Sequence, residues 1–419
     1  MFTLRFWPVL FVAMFFLPYL GETRVRVEVL LFAMLVFAAF LHSSAKKPYF
    51  LVLPSHVYVF AFGIFCYTFL LAVLSQHASL INQAIDVTNQ NFLFLTLFGL
   101  LPLRHWLQAN AGAILRAVVV ISLLVNLVAL FQAFFPQAPI QNLVFSLYGG
   151  EIREDGLASA EFLCRVAHRC TSIFPTLQAL ALFDLLIIAL LMYLKSVREI
   201  GTVVFWVGMI LAFLGGLATV SKTFMIGAPI AMLISSDRRQ KFFFVMVMIT
   251  LLLPIAAVFT LDYQAILGNN IVLIDNIKEN GLSYIFASRF GGAGYGADGA
   301  FTELYDSMKD IPGIFITGVG SDYGYYGAHY TDNLYLQLIV YGGVPYAILF
   351  IVQYLMFFFA LSNKATKAAR RIIFAMAIVY FSIGFAYASF FIGRVSMLTI
   401  LVLLVVTLDA RSKTINGAR

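Results

Sequence analysis

Charge is what this 419-residue chain has least of. Only 11% of its residues are Asp, Glu, Lys or Arg, against roughly 25% in soluble domains. With 62% hydrophobic residues and a mean hydropathy of +0.93, that scarcity excludes an ordinary water-facing surface and points to a polytopic membrane protein. Cysteine is nearly absent too. Cys66, Cys164 and Cys170 make no metal motif, and His42, His56, His77, His105 and His168 form no ligand cluster, so no metal or cofactor is expected. No internal repeat is visible, inverted or direct, which weighs against a transporter built from paired halves. The first apolar run has Arg5 ahead of it but no small-residue cleavage site, so it is expected to remain as a helix.

What the chain does have is long apolar runs, most of them near the roughly 20 residues that span a bilayer, with 221–236 short. They lie at about 4–20, 27–44, 50–75, 87–106, 110–136, 173–195, 200–219, 221–236, 242–260, 333–362, 372–392 and 395–410. The expected fold is therefore all-α, with about 12 transmembrane helices. The net charge of +7 reflects basic residues retained on the cytoplasmic side rather than a nucleic-acid partner. With the N-terminus inside, 17 of the 27 cations fall inside, opposed there only by Glu199, Asp237 and Asp409. Both termini are expected to be cytoplasmic. Residues 1–260 then carry helices 1–9 with an external loop at 137–172. Residues 261–332 form a large external loop, and 333–419 carry helices 10–12 and a cytoplasmic C-terminus.

Some seventy residues between membrane helices is far longer than an ordinary connection, and loops of that length tend to be functional. This one mixes aromatic residues, prolines and glycines, and is expected to be folded. It contains Ser288-Arg289-Phe290, Pro312-Gly313, Gly318-Val319-Gly320 and His329-Tyr330-Thr331-Asp332-Asn333, the last running into an apolar segment from Leu334. Arg24, Arg26, Arg153, Arg165, Arg169, Lys222, Arg289 and Arg394 fall outside or at the outer membrane edge, where orientation does not require them. Snorkelling or pairing with loop carboxylates accounts for Arg24, Arg26 and Arg153.

Arg169, Lys222 and Arg289 suit a polyanionic lipid head group, above all a diphosphate. Arg grips phosphate oxygens bidentately and Lys adds a compact point charge. The same groups would stabilise a departing diphosphate as its charge grows. The competing structural explanation is pairing with Asp275, Glu279, Asp298 or Glu303. Asp332 stands at the mouth of the tenth span, in a Thr-Asp-Asn sequence that also suits a helix cap. A general base that activates a sugar hydroxyl needs such rigid placement, and His329 could share or replace that role. Gly294-Tyr295-Gly296-Ala297-Asp298-Gly299 fits GxGxxG, but no strand precedes it and no helix pattern follows, so a dinucleotide site is not expected. Asp184 stands alone inside the sixth span, too little for a proton-coupled carrier. Cys164 and Cys170 lie in a polar loop and could pair if it faces an oxidising compartment; their spacing leaves that open.

The pattern resembles the superfamily of O-antigen polymerases and O-antigen ligases, over roughly 165–345. Arg169 through Pro175 looks like the Arg-x-x-Gly-Phe start of a central helix, with Ser172 where glycine is common. Ser221-Lys222-Thr223 looks like the Ser-Arg/Lys-Thr turn between two short helices. Ser288-Arg289, Pro312 and Gly318-Val319-Gly320 are similar to the large-loop Arg and its trailing Pro…Gly-x-Gly. Asp332-Asn333-Leu334-Tyr335-Leu336, with Gly342-Gly343, looks like the final (His/Asp)-Asn-x-x-Leu…Gly element.

The resemblance implies a GT-C-like helical fold and metal-independent, inverting transfer from an undecaprenyl-diphosphate-linked glycan at the periplasmic face of a bacterial inner membrane. It implies that Arg289, Lys222 and Arg169 hold the donor diphosphate and that Asp332 or His329 is the base. Partners would be lipid-linked oligosaccharide as donor and acceptor, membrane lipids, a chain-length regulator and a flippase. Ligases carry His where this chain has Asp332, and His329 is displaced three residues upstream. Thr-Asp-Asn is closer to the polymerases, so joining of lipid-linked repeat units is the expected activity. A ligase acting on a lipid A core or a protein is the alternative, and a lipid-linked oligosaccharide transporter a more distant one.

Overall fold

The computed structural model describes residues 6–18, 27–43, 53–148, 160–165, 170–174, 176–219, 221–237, 313–324, 333–384 and 389–417. Regular structure among them is entirely helical. The helices are α1 (Phe6–Ala13), α2 (Val27–Ser43), α3 (Ser55–Leu74), α4 (Leu80–Gln90), α5 (Phe92–Gly99), α6 (Arg104–Phe134), α7 (Pro139–Tyr148) and α8 (Ala160–Arg165). They continue with α9 (Leu177–Ser196), α10 (Thr202–Ala218), α11 (Lys222–Ser235), α12 (Ile314–Thr317), α13 (Leu334–Lys364), α14 (Lys367–Gly384) and α15 (Gly393–Gly417). Short 3-10 turns stand at Met14–Phe16, Gly320–Gly324 and Ser389–Phe391. α3, α6, α9 and α13 are long and apolar enough to cross a membrane. The chain is a helical membrane protein.

The chain divides into two compact units. The first takes in the described parts of Met1–Ile121, Val197–Ile200 and Asp306–Arg419; the second takes in those of Ser122–Ser196 and Gly201–Tyr305. In the second unit, Leu177 and every residue from Ala179 to Leu194 are buried, so α9 has no solvent- or lipid-facing stripe. A helix apolar all round is stable only when surrounded. α10 and α11 pack on it. Small residues let them come close: a Cβ on Gly208 would stand 3.0 Å from the Leu191 side chain, and one on Gly227 only 2.4 Å from Leu185.

The span expected over 87–106 is not one helix. Asn91 breaks it, with φ −118° and ψ 27°. Its side-chain amide donates to Thr68 Oγ1 at 2.6 Å and to the Val87 carbonyl at 2.7 Å, capturing a helical acceptor that a continuing helix would use. The next helix, α5, is eight residues and so about 12 Å long, too short to span. α11 is short as well, 14 residues interrupted by Pro229. α13 is broken internally: Gly343 lies at φ 75°, ψ 178°, two residues before Pro345. The expected run over 242–260 lies outside the described residues.

Candidate functional site

Of the five residues singled out by sequence, Arg169, Arg289, His329 and Asp332 lie outside the described residues. Lys222 is the first residue of α11, and its backbone alone is described. The described residues next to Arg169, Lys222 and Asp332 are nevertheless held by specific bonds.

In the second unit, the amide of Cys170, the residue after Arg169, donates to the carbonyl of Ala218 at 2.9 Å. Ala218 ends α10, and the turn from it leads directly into Lys222. One main-chain bond therefore brings together the two stretches that carry Arg169 and Lys222. The turn is held by Thr219, whose Oγ1 accepts from the Ser221 amide at 3.2 Å. α11 thus opens at Lys222 with the free N–H groups and partial positive charge of a helix N-terminus, which favour an anion.

The stretch after Cys170 is pinned to α6. Ser172 N donates to Gln132 Oε1 at 2.8 Å while Gln132 Nε2 donates back to Ser172 O at 3.1 Å, and Ser172 Oγ donates to Val125 O at 2.6 Å. Ser172 adopts φ 55°, the left-handed region that favours glycine. The strain of serine there is offset by the hydroxyl bond to Val125.

In the first unit, residues 313–324 connect α3 to α13. Val319 N donates to Val340 O at 2.8 Å, and the chain lies directly against the break in α13. A Cβ on Gly318 (φ 67°) would stand 2.3 Å from Tyr341 O, and one on Gly343 (φ 75°) would stand 2.4 Å from Ile316 O. Gly318 and Gly343, more than twenty residues apart, thus lie on two sides of one backbone contact, while Gly320 lies against Ser75 and Leu71 of the α3 end. At the other edge, the Asp322 carboxylate accepts from the amides of Gln76 (2.8 Å), His77 (2.9 Å) and Ala78 (2.7 Å), just beyond α3. Ser321 N donates to Ser75 Oγ at 2.9 Å. Charged hydrogen bonds of this kind contribute more than neutral ones, about 1.5–3 kcal/mol each. Asp322→Ala is expected to cost about 3 kcal/mol and to lower the thermal midpoint in detergent, with Asp322→Asn between it and wild type.

Asn333, not Asp332, caps α13. Its Oδ1 accepts from Tyr335 N at 2.9 Å and Leu336 N at 3.1 Å. The Thr-Asp-Asn sequence is compatible with either residue as cap; the geometry assigns the role to the second.

Sequence reasoning passed over Asp86, on α4. It is buried, the Ser321 hydroxyl lies beside it, and its Oδ2 has no hydrogen-bond partner among the described residues. Burial pushes its carboxyl up to about 7, against a downward pull from Ser321. A raised carboxyl stabilises the fold below its ordinary value of 3.8, and that contribution is lost as pH rises through about 7. Stability should fall across this window by up to about 1.4 kcal/mol per pH unit from this group. Asp86→Asn is expected to flatten the slope, as read by thermal midpoints in detergent from pH 5 to 8.

Two of the unexplained cations prove structural. Arg394 Nε pairs with the buried Glu28 at 3.3 Å and its Nη2 donates to Leu17 O at 2.8 Å. Arg165 pairs with Glu161 at 2.7 Å, reaches Asn142 and lies over the Phe145 ring. Asp184 also has a partner: Asn126 Nδ2 donates to its Oδ1 at 2.9 Å. The close passage of α10 at Gly215, where a Cβ would be 1.8 Å from Asn126 Oδ1, seals that pair. Among the described residues, no three His, Cys, Asp or Glu side chains come together as a metal site would require. No family model matches the chain, and no curated protein does.

Proposed function

We propose that the protein is a glycosyltransferase that polymerises lipid-linked oligosaccharide repeat units, transferring the growing glycan from undecaprenyl diphosphate onto an incoming unit. The reading keeps a GT-C-like architecture of about 12 spans in a bacterial inner membrane, with the broken pair α4 and α5 as its fourth crossing, both termini cytoplasmic and the reaction at the periplasmic face. The observation that carries it is the Cys170–Ala218 bond, which joins the stretches bearing Arg169 and Lys222. That bond ties the residue after Arg169 to the end of α10, four residues before Lys222 opens α11.

The proposed orientation has support of its own. Residues assigned to one side by charge alone meet one another. Cys170 with Ala218, and Asp322 with Gln76 through Ala78, are all expected outside. Arg116 bonds Glu199 at 2.8 Å, and Asp409 lies close by at Gly112; all three are expected inside.

In the proposed reaction, Arg289, Lys222 and Arg169 hold the donor diphosphate and offset the charge that grows on it as the glycosidic bond breaks. Asp332, with His329 as the other candidate, removes the proton from the acceptor hydroxyl, which attacks the anomeric carbon with inversion. The test is the glycan profile of a deletion strain. Loss of polymerase leaves a single repeat unit on its final acceptor. Loss of a ligase instead leaves long lipid-linked chains with nothing attached, and that result would overturn the reading.

A further inference from the structure

We infer that Cys164 and Cys170 are joined by a disulfide in the mature protein, closing the loop 165–169 that carries Arg165 and Arg169. The inference rests on the outward placement of that loop in the proposed topology, because disulfides persist in oxidising compartments and not in the cytosol. Its geometric basis is independent of any function.

The two sulfurs are 2.7 Å apart, and both residues are fully buried. Phe145 and Ala218 pack around them. Neither cysteine is free to drift. Cys170 is tied through its amide to Ala218, and two residues on, Ser172 is bonded in both directions to Gln132. Cys164 lies in the last turn of α8 next to its final residue Arg165, which Glu161, Asn142 and the Phe145 ring hold. Cys66 belongs to the other unit and is exposed, leaving it outside this arrangement.

The chemistry has a direction. The hydrogen bond from Cys170 lowers the Cys164 thiol, helped by the Arg165 guanidinium and opposed by burial. The same contact, together with burial, raises Cys170. In the open loop the neighbouring Arg165 favours the thiolate of Cys164, which attacks first. During folding, before the loop packs under Phe145, it attacks one sulfur of a disulfide-bonded thiol oxidoreductase. A mixed disulfide forms and the oxidant's second sulfur leaves as a thiolate. Cys170 then gives up its proton and attacks Cys164 Sγ, expelling the oxidant's first sulfur. Two electrons and two protons pass to the oxidant, which ends as a dithiol, and one S–S bond remains on the chain.

The full-length protein would be acid-quenched in its membranes, denatured in detergent and tagged with a maleimide-polymer, with and without prior reduction. One tag, on Cys66, is expected without reductant, and three after reduction. Cys164→Ser should take two tags without reductant, because Cys170 loses its partner. Three tags on the unreduced wild type would overturn the bridge. The purified, folded protein treated with diamide then separates the causes. Closure by diamide would show that the pairing geometry is sound and that the loop faces a reducing compartment, against the proposed topology. Failure to close would overturn the pairing itself and leave the diphosphate reading standing.

Discussion

Cells whose only copy of the protein carries Arg289→Ala should make glycan that stops at one repeat unit, with the protein present at its normal level. A fall of about 10²–10³ in the rate of chain extension is the size expected when a group aimed at developing charge is removed. The diphosphate leaves with more negative charge than it carries while bonded to sugar, so a guanidinium forked onto its oxygens acts more on the transition state than on the bound donor. Arg289→Lys should recover part of the rate, since it keeps the charge and loses the fork. A normal ladder from Arg289→Ala would remove the diphosphate clamp from the account.

Asp332→Asn is the second change with a large expected effect, about 10²–10⁴ in rate, the range of a general base. Asn333 accepts the two amides of the first turn of α13, so the helix keeps its cap when Asp332 is changed. Activity should therefore fall while the thermal midpoint in detergent stays where it was. Asn333→Ala should show the reverse emphasis, with about 1 kcal/mol of stability lost through the missing cap. Full activity in Asp332→Asn would pass the proton-acceptor role to His329, and His329→Ala would then show the loss.

Much of the frame was legible because it follows from composition. Long apolar runs and scarce charge require membrane helices, and α3, α6, α9 and α13 stand where those runs are. The short α11 was visible too, as an apolar stretch of marginal length. The division of 87–106 was less so. The polar run Thr88-Asn89-Gln90-Asn91 at its start was a signal that went unread, and the break is fixed by one side chain, Asn91, binding Thr68 on another helix. Hydropathy does not register a contact between residues 23 positions apart.

The candidate site divides in the same way. Sequence order located Gly318-Val319-Gly320 and Gly342-Gly343, but Gly318 and Gly343 are needed for a reason visible only in three dimensions, a backbone-to-backbone approach at positive φ. Asp322, four residues after Gly318, gave no signal as an anchor because its three donors are main-chain amides near residue 77, which any sequence could supply. Asp184 was read as an isolated carboxylate because its partner, Asn126, lies on another helix. Among the excess cations, the pairing of Arg394 with Glu28 and of Arg165 with Glu161 gives two of them a structural role.

The most direct test of polymerisation uses the purified protein in detergent, given a lipid-linked repeat unit extracted from the deletion strain. A polymerase yields a ladder of glycans of two, three and more units on lipid, with undecaprenyl diphosphate released in step with each bond formed. If the substrate remained a single unit while the folded protein bound it, the central claim of polymerisation would be contradicted.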